Sequence, residues 1–204
     1  MREENVVNFY VLCNKLKDVV RTGWKNWGVK RKRIESVAEH IYGTQMLAIA
    51  MWSEYKYDID LKKVLSMLAV HELEETKIGD LTIFDIDRKT KNEIGHKAIE
   101  EILCNLAQGS TIKQLIFEFD ERKTKEAKFA FYCDKLEADL QCKLYCEENC
   151  VNAKKQVRYN SDERNNSGKL AKKNLWIFGR YEDEYDASFK NMSAYVRNSI
   201  IMKG

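Results

Sequence analysis

Proline is absent from all 204 residues of this chain, and glycine occurs only 9 times. Proline breaks helices and glycine weakens them, so few positions interrupt a long helical stretch. The apolar residues recur mostly at spacings of three and four, which is the period of one face of an α-helix. The sequence therefore predicts an all-α fold, built as a helical bundle.

Two helix starts carry specific capping signals. Ser36 and Glu39 form a capping box, in which the serine hydroxyl accepts from the third amide and the glutamate reaches back. Asp60 is a second N-cap, placed just before an apolar helical stripe. Helical stretches are expected at about residues 3–20, 36–54, 60–78, 90–108, 115–119, 124–150, 170–180 and 182–202. On the first of these, the residues expected to face the core are Val7, Tyr10, Val11, Asn14 and Leu16.

The composition changes near residue 150, and this change sets the predicted organisation. Residues 1–150 are expected to form the core, and residues 151–204 an extension on the same domain. Between Asn152 and Lys172 the chain is rich in Asn, Ser, Lys, Arg and Asp, which predicts a mobile loop. The extra C-terminal helices are expected to pack back on the bundle. The residues expected to make that contact are Trp176, Phe178, Phe189, Tyr195 and Val196.

Charge and hydropathy exclude several classes of partner. A net charge of +3 and a pI near 8.4 fall short of the basic balance of a duplex-binding domain, so no nucleic-acid polymer is expected. No segment approaches the roughly 18 to 20 apolar residues that span a bilayer, so no membrane partner is expected. The N-terminal segment lacks the features of a signal peptide. A cytoplasmic location is therefore expected.

The chain has six cysteines, which in such a setting are expected to be reduced. Cys142, Cys146 and Cys150 repeat every fourth residue and share one face of a predicted helix. This spacing matches none of the common zinc or iron–sulfur patterns, and small buried hydrophobes are the preferred interpretation. A metal or cluster site remains the alternative.

Histidine is scarce, with three in the chain, and two of them lie inside strongly predicted helices next to small or acidic residues. His40 and His71 are these two, and Glu72 and Glu75 follow closely on the second helix. Asp134 interrupts an apolar face of small residues, where a buried carboxylate is usually paired or coordinates a cation. These residues indicate a metal site. Core histidines held by hydrogen bonds, beside a solvated acidic helix end, remain the alternative.

Four sequence blocks occur in a characteristic order. They are RTGW at 21–24, ESVAEH at 35–40, HELEE at 71–75 with Gly79 and Asp80 after it, and EFDERKTKEAKFAFYCDKLEA at 118–138. Together the blocks resemble the HD-domain phosphohydrolases, and within them the 5′-deoxynucleotidase-like branch. The similarity spans about residues 10–150. One position departs from the pattern, because the His-Asp pair that names the family is His71-Glu72 in this chain.

The resemblance implies a role for each matching residue and one divalent metal ion, of which Mn, Co, Fe, Zn and Mg are candidates. The implied metal ligands are His40, His71, Glu72 and Asp134. The implied catalytic residues are Glu75 and Asp80. The implied substrate-binding residues are Arg21, Trp24 and Glu118. The third histidine, His96, lies in a polar helical context and is interpreted as a surface or supporting residue.

The function that the resemblance implies is removal of the 5′-phosphate from ribo- or deoxyribonucleoside monophosphates by attack of a metal-activated water. The expected partner is thus a small nucleotide, and a homodimer is expected. Two alternatives stay open. The substrate could be another phosphorylated nucleotide, such as a triphosphate, a cyclic nucleotide or an alarmone. Because of Glu72, the chain could also be a nucleotide-binding module with impaired catalysis.

Overall fold

A computed structural model of the chain describes residues 1–82, 85–152, 158–164, 170–173 and 186–202. Nine α-helices, one 3₁₀ turn and two short strands are found in these residues, and the all-α prediction is confirmed for the bundle. The helices are α1 (Arg2–Asn14), α2 (Thr22–Asn26), α3 (Val37–Tyr55), α4 (Leu61–Val70), α5 (Glu75–Ile78), α6 (Arg88–Leu103), α7 (Gly109–Glu121), α8 (Lys125–Glu147) and α9 (Ala187–Asn198). None of the helices in the described residues is long and apolar enough to cross a bilayer.

The capping signals act where the sequence predicts them. Ser36 Oγ accepts from the amide of Glu39 and the Glu39 carboxylate accepts from the amide of Ser36, so the capping box at the start of α3 is confirmed. Asp60 caps α4 by accepting from the amide of Lys63. At the start of α8, the Thr124 hydroxyl caps the helix in the same way. Side chains thus satisfy amides that would otherwise lack partners and fix the helix starts.

The main core lies where α3, α4, α7 and α8 meet. Small side chains on α8, such as Ala127 and Ala130, allow the neighbouring helices to approach closely, and Met67 and Leu68 of α4 fill the space between them. Helix α9 covers one end of this core through Phe189, whose ring lies 5.5 Å from that of Phe129. Burial of these apolar surfaces is the main force that holds the bundle together.

Helix α1 is shorter and more exposed than predicted. It ends at Asn14, and a 3₁₀ turn, Lys15–Lys17, follows it. Leu16 is buried as expected, but the other four residues expected to face the core are exposed. These residues are Val7, Tyr10, Val11 and Asn14. The helix lies at the edge of the bundle and packs instead through Phe9 and Leu12, so its apolar spacing did not identify the buried face.

Gly109 begins α7, whereas the sequence predicts that it ends the preceding helix. A Cβ atom at this position would lie 2.3 Å from the Leu103 carbonyl oxygen. The position therefore requires glycine because two backbone segments approach closely there. Helix α7 also extends well beyond both ends of the short stretch predicted at 115–119.

The C-terminal quarter differs from the prediction. Strands β1 (Arg158–Arg164) and β2 (Leu170–Lys173) pair antiparallel, so part of the predicted loop and the start of the predicted 170–180 helix are strands instead. Pairing between strands cannot be detected from helical spacing. The last helix begins at Ala187 rather than 182, and its Phe189 and Val196 are buried while Tyr195 is exposed. The predicted contacts of Trp176 and Phe178 lie outside the described residues.

Candidate metal centre and active site

Four side chains from three parts of the fold meet in one buried cluster. His40 comes from α3, Asp134 from α8, and His71 and Glu72 from the turn that follows α4. One nitrogen or oxygen atom from each of the four lies within 4.8 Å of all the others. The structure thus brings together all four residues that the resemblance implies as metal ligands.

The end of α4 allows two adjacent residues to reach the same cluster. The sequence predicts one helix through His71 and Glu72, but α4 stops at Val70 and α5 begins only at Glu75. Adjacent residues within a helix point about 100° apart. The turn at 71–74 removes this restriction, so both side chains can converge on one point.

His71 is arranged as a metal ligand would be. Its Nδ1–H donates to the Leu68 carbonyl oxygen at 2.8 Å, which leaves the Nε2 lone pair directed at the cluster. Nε2 is buried and has no hydrogen-bond partner among the described residues. Burial lowers the pKa of His71, although the nearby carboxylates of Glu72 and Asp134 oppose this shift. The neutral imidazole is the form that binds metal ions.

His40 and Asp134 face each other across the cluster. His40 Nε2 lies 3.0 Å from Asp134 Oδ1, and His40 Nδ1 lies 2.5 Å from Glu137 Oε2. Burial and Arg21 disfavour the charged imidazole, but Glu137 and Asp134 outweigh them and raise the pKa of His40 to about 9. Burial also disfavours the Asp134 carboxylate, yet Lys135 and His40 hold its pKa well below the usual range. Asp134 is therefore ionised, as a ligand must be.

Glu72 reaches the cluster in spite of its extra methylene. Its Oε1 atom lies 3.8 Å from His71 Nε2 and 3.4 Å from Arg21 Nη1. Burial would raise the pKa of this carboxyl, but His71, Lys91 and Arg21 outweigh it and lower the pKa to about 2. The side chain is thus an ionised donor within reach of the other three.

The donor set fits a divalent metal ion. Two imidazoles and two carboxylates suit Mn, Fe, Co or Zn, which accept mixed nitrogen and oxygen ligands. The buried lone pair of His71 supports this fit, because a polar atom without a partner is costly in a protein interior. Two nitrogen and two oxygen donors suit every ion of this group.

Arg21 lies at the edge of the cluster and is fixed through its backbone. Its amide donates to the Glu35 carbonyl oxygen at 3.0 Å, next to a β-bridge between Val20 and Ser36. The side chain is 18% exposed. Burial disfavours the guanidinium charge, but Glu72 and Asp80 more than compensate and raise the pKa of Arg21. The guanidinium is therefore a permanent positive charge beside the four donors.

Asp80 holds the segment that carries Arg21. Its Oδ2 atom accepts from the Thr22 amide at 2.6 Å, at the start of α2. A cleft of about 320 Å³ opens beside this contact. Thr22, Asp80, Leu81 and Asp85 are among the residues that line it. Asp80 therefore contributes to the cleft, whereas neither Arg21 nor the four donors are among its lining residues.

Glu75 is a buried acid that contacts a lysine the sequence did not single out. Its side chain is 1% exposed, and its Oε1 atom lies 3.3 Å from Lys91 Nζ. The same ammonium donates to the Leu81 carbonyl oxygen at 2.9 Å. Burial, followed by Glu72 and Asp80, raises the pKa of Glu75 well above its usual range. The Oε2 atom is buried without a hydrogen-bond partner among the described residues.

The other two implied substrate-binding residues have protein partners of their own. Trp24 is only 5% exposed, its indole N–H donates to Glu35, and its ring packs against Tyr145 at 5.4 Å. Trp24 is therefore a core residue rather than a wall of the cleft. Glu118 accepts from Lys63 and the Thr124 hydroxyl. The ring of its neighbour Phe119 packs against that of His71 at 5.0 Å, so α7 passes close to the cluster.

Residues outside the cluster agree with their simpler interpretations. His96 lies at the surface, bonds Asp120 at 2.8 Å and stacks on Phe117, so the surface interpretation is confirmed. Cys142 is fully buried and packs in an apolar cluster. No cysteine belongs to a group of metal donors in the described part of the chain, which contains all six.

Three residues near the cluster were not singled out from the sequence: Glu35, Glu137 and Lys91. Glu35 and Glu137 are buried acids beside His40. Glu137 lies one turn after Asp134 on α8, and this shared helix face could have indicated it. Glu35 precedes α3, and Lys91 lies on a helix that meets Glu75 only in the folded chain, so neither carries a signal in the sequence.

Comparison with known proteins identifies the family of this chain. The family model of the HD domain matches residues 13–176. The chain belongs to the HD domain family. The resemblance drawn from the four sequence blocks is therefore confirmed.

This HD chain is 36% identical to a 5′-deoxynucleotidase of Dictyostelium discoideum over 149 residues, covering 69% of this chain and 77% of the relative. A 5′-deoxynucleotidase of Schizosaccharomyces pombe is 28% identical over 144 residues, covering 67% and 70%.

Solved structures with the same fold extend this similarity. A protein from Pyrococcus horikoshii superposes on the HD chain with a TM-score of 0.63 at 25% identity, covering 72% of this chain and 82% of that one. A protein from Magnetospirillum magnetotacticum, described as a predicted metal-dependent phosphohydrolase, gives a TM-score of 0.67 at 23% identity, covering 96% and 92%. At this identity the second match shows the fold alone.

Proposed function

We propose that this HD-domain chain is a metal-dependent phosphohydrolase that removes the 5′-phosphate from nucleoside monophosphates, with deoxyribonucleotides as the preferred class. The observation that carries the proposal is the buried cluster of His40, His71, Glu72 and Asp134 with the guanidinium of Arg21 beside it. A cation site next to a fixed positive charge suits a phosphate ester. The relatives named 5′-deoxynucleotidases support the choice of substrate.

The four donors would hold one divalent ion, which when bound supplies a Lewis acid that activates water and polarises the phosphoryl oxygen. His71 offers Nε2, since its Nδ1–H is already bonded to Leu68. Glu72 and Asp134 contribute negative charge that balances the cation. Metal analysis of the purified protein would identify the ion among Mn, Co, Fe, Zn and Mg.

Arg21 would bind the phosphate of the substrate. Its planar guanidinium offers paired donors that match two non-bridging phosphate oxygens. Asp80 supports this role because it bonds the Thr22 amide and so holds the segment that carries Arg21. We therefore assign Asp80 to orienting Arg21.

Glu75 would move the proton that the leaving group needs. Its carboxyl is buried, has a raised pKa, and one of its oxygens has no hydrogen-bond partner among the described residues. An acid of raised pKa can donate to the 5′-oxygen as the bond to phosphorus breaks. Lys91 lies on the other carboxylate oxygen and limits its orientation.

The experiment that tests this proposal measures phosphate release by purified protein from a panel of nucleoside and deoxynucleoside monophosphates. Chelated protein is assayed before and after addition of Mn²⁺, Co²⁺, Zn²⁺ or Mg²⁺. His71→Ala and Asp134→Ala are expected to abolish release, while His96→Ala, a histidine bonded at the surface, leaves it unchanged. Undiminished hydrolysis after complete chelation, or in Asp134→Ala, would show that the proposal is wrong.

A nucleotide-binding module with impaired catalysis is the second candidate, and Glu72 in place of aspartate is the observation that favours it. Triphosphates, cyclic nucleotides and alarmones belong in the same substrate panel. Stoichiometric metal and tight nucleotide binding with no turnover of any of these compounds would favour the binding module. Turnover of one of them, but not of monophosphates, would instead change the substrate class.

We also propose a homodimer and a single folded unit. An exposed apolar stripe on α3, formed by Tyr42, Met46 and Ile49, supports a surface for a second copy. Burial of Phe189 and Val196 of α9 supports the view that residues 151–204 extend the 1–150 core within one domain.

A further inference from the structure

We propose that Glu137 is a positioning residue that fixes the ring of His40 for the metal ion, and that Gly43 is glycine in order to leave room for the Glu137 carboxylate. This inference rests on the proposed metal site. It concerns residues that none of the implied roles include, and it predicts metal affinity rather than activity alone.

The two ring nitrogens of His40 have different partners. Nδ1 lies 2.5 Å from Glu137 Oε2, and Nε2 lies 3.0 Å from Asp134 Oδ1. With Nδ1–H donated to Glu137, a metal ion would take the place of the proton on Nε2, the nitrogen that faces the other donors. A carboxylate behind a metal-binding histidine fixes both its tautomer and its orientation, and raises its basicity.

The position of Glu137 restricts the orientations in which its carboxylate can contact His40. It lies one turn after Asp134 on α8, so the same helix face supplies a metal donor and the partner of His40. His40 is fully buried and Glu137 is almost fully buried. Water therefore cannot take the place of the Glu137 carboxylate. The orientation of this carboxylate depends on the side chains that surround it.

Gly43 determines the space that Glu137 can occupy. It lies three residues after His40 on α3, directly opposite Glu137. A Cβ atom at Gly43 would lie 2.6 Å from Glu137 Oε1 and 3.1 Å from its Cγ and Cδ atoms. Even a methyl group would displace the carboxylate, although glycine in the middle of a helix is unfavourable. Glycine at position 43 therefore leaves the space that the Glu137 side chain occupies.

Glu35 is a second acid beside His40 and Glu137. One of its carboxylate oxygens lies within 4.8 Å of donor atoms of His40 and Glu137, and it accepts from Trp24 Nε1 at 2.5 Å. Glu137 Oε2 faces His40 Nδ1, whereas Oε1 is the atom closest to the Cβ position of Gly43. The gap at Gly43 therefore accommodates the second oxygen of the carboxylate that contacts His40.

The test measures the affinity of metal-free protein for Mn²⁺ by calorimetry. Glu137→Ala is expected to weaken binding about 10–100-fold, and Glu137→Gln, which keeps an acceptor oxygen, less than that. Gly43→Ala is expected to weaken binding as well. Gly95→Ala is the matched control, because Gly95 is also within a helix but its added Cβ would meet Glu74 only at 3.4 Å.

A double variant separates positioning from general damage. If Gly43→Ala acts by displacing Glu137, it has no further effect on Mn²⁺ affinity once Glu137 is alanine. For Glu137→Gln, kcat is expected to recover at saturating Mn²⁺, and the visible spectrum of the Co²⁺ form to shift, which a purely structural defect would not produce. Glu137→Gln and Gly43→Ala keep the test decisive should Glu137→Ala fail to fold.

The outcomes separate this inference from the proposed function. Wild-type protein that binds no Mn²⁺ overturns the metal site itself and the inference with it. Wild-type protein that binds one equivalent, loses it in His71→Ala and keeps full affinity in Glu137→Ala and Gly43→Ala overturns the inference alone. Binding of a second equivalent that disappears in Glu137→Gln would make Glu137 a ligand, and this would also overturn it.

Discussion

At the scale of single residues, Glu72 stands where the family pattern has aspartate, and the structure accommodates it. Its carboxylate reaches the other donors because the turn after α4 leaves its backbone outside a regular helix. The low pKa of about 2 reflects cations that outweigh burial. A longer side chain can therefore occupy the same site when the backbone is turned towards it.

The first prediction concerns Glu72. Glu72→Ala is expected to weaken Mn²⁺ binding at least about 10-fold, because one charged donor is lost from the cluster. Glu72→Asp is expected to retain binding, since a carboxylate remains. Calorimetry on metal-free protein measures both, and Glu93→Ala, an exposed acid paired with Lys89, is the control. Unchanged affinity in Glu72→Ala would place this residue outside the metal site.

The second prediction concerns Arg21. Arg21→Lys is expected to raise KM for a nucleoside monophosphate about 10-fold at saturating metal, because lysine lacks the planar pair of donors. Steady-state phosphate release provides the measurement. Arg33→Lys, which changes an exposed arginine bonded to Glu39, is the matched control and is expected to have no effect. An equal KM for both variants would argue against phosphate binding by Arg21.

At the scale of elements, the ends of two helices position three of the four proposed donors. Ser36 fixes the start of α3, and His40 follows four residues later, with its amide bonded to the Ser36 carbonyl. The end of α4 at Val70 presents His71 and Glu72. Asp134 is the exception, because it lies in the middle of α8. Small errors at the start of α3 or the end of α4 would therefore move a donor.

The third prediction concerns the cap of α3. Ser36→Ala is expected to lower the free energy of unfolding by about 1 kcal/mol, because the Glu39 amide loses its acceptor. Urea unfolding followed by circular dichroism measures this change. Ser66→Ala, an exposed serine within α4, is the control and is expected to change stability little. A stability equal to wild type in Ser36→Ala would mean that the cap contributes nothing.

The elements also show how far the sequence alone could lead. The capping box at Ser36 was sufficient to predict the start of α3, whereas the role of His40 as a metal ligand was implied by the resemblance of the four sequence blocks. The break after Val70 was not predictable, because the apolar spacing gives no sign of the packing that ends the helix there. Gly43 and Glu137 were missed because their meaning depends on how closely α3 and α8 approach, and local sequence does not encode that distance.

At the scale of the whole molecule, part of the exposed surface is apolar. The apolar stripe of α3 is exposed although it belongs to a helix whose other face is buried in the bundle. The Tyr42 side chain at one end of the stripe is 65% exposed. The homodimer and the cytoplasmic location both stay predictions, and the first of them can be tested directly at this surface.

The fourth prediction concerns the dimer. Met46→Glu is expected to convert a dimer into monomers, because it places a charge at the centre of the stripe. Size-exclusion chromatography with light scattering gives the mass at several concentrations. Glu54→Lys, a charge change at the exposed end of the same helix, is the control and is expected to leave the mass unchanged. Monomeric wild-type protein at every concentration would remove the basis of the proposal.

The four proposed metal donors come from α3, the turn after α4, and α8, at positions 40, 71–72 and 134, which are far apart along the chain. An ion bound to all of them acts as a cross-link that closes long loops of the polypeptide. Loss of the ion would therefore free α3, the end of α4 and α8 to separate from one another. Amide hydrogen exchange in these three segments would then accelerate together. The ion proposed for catalysis would thus also stabilise the bundle.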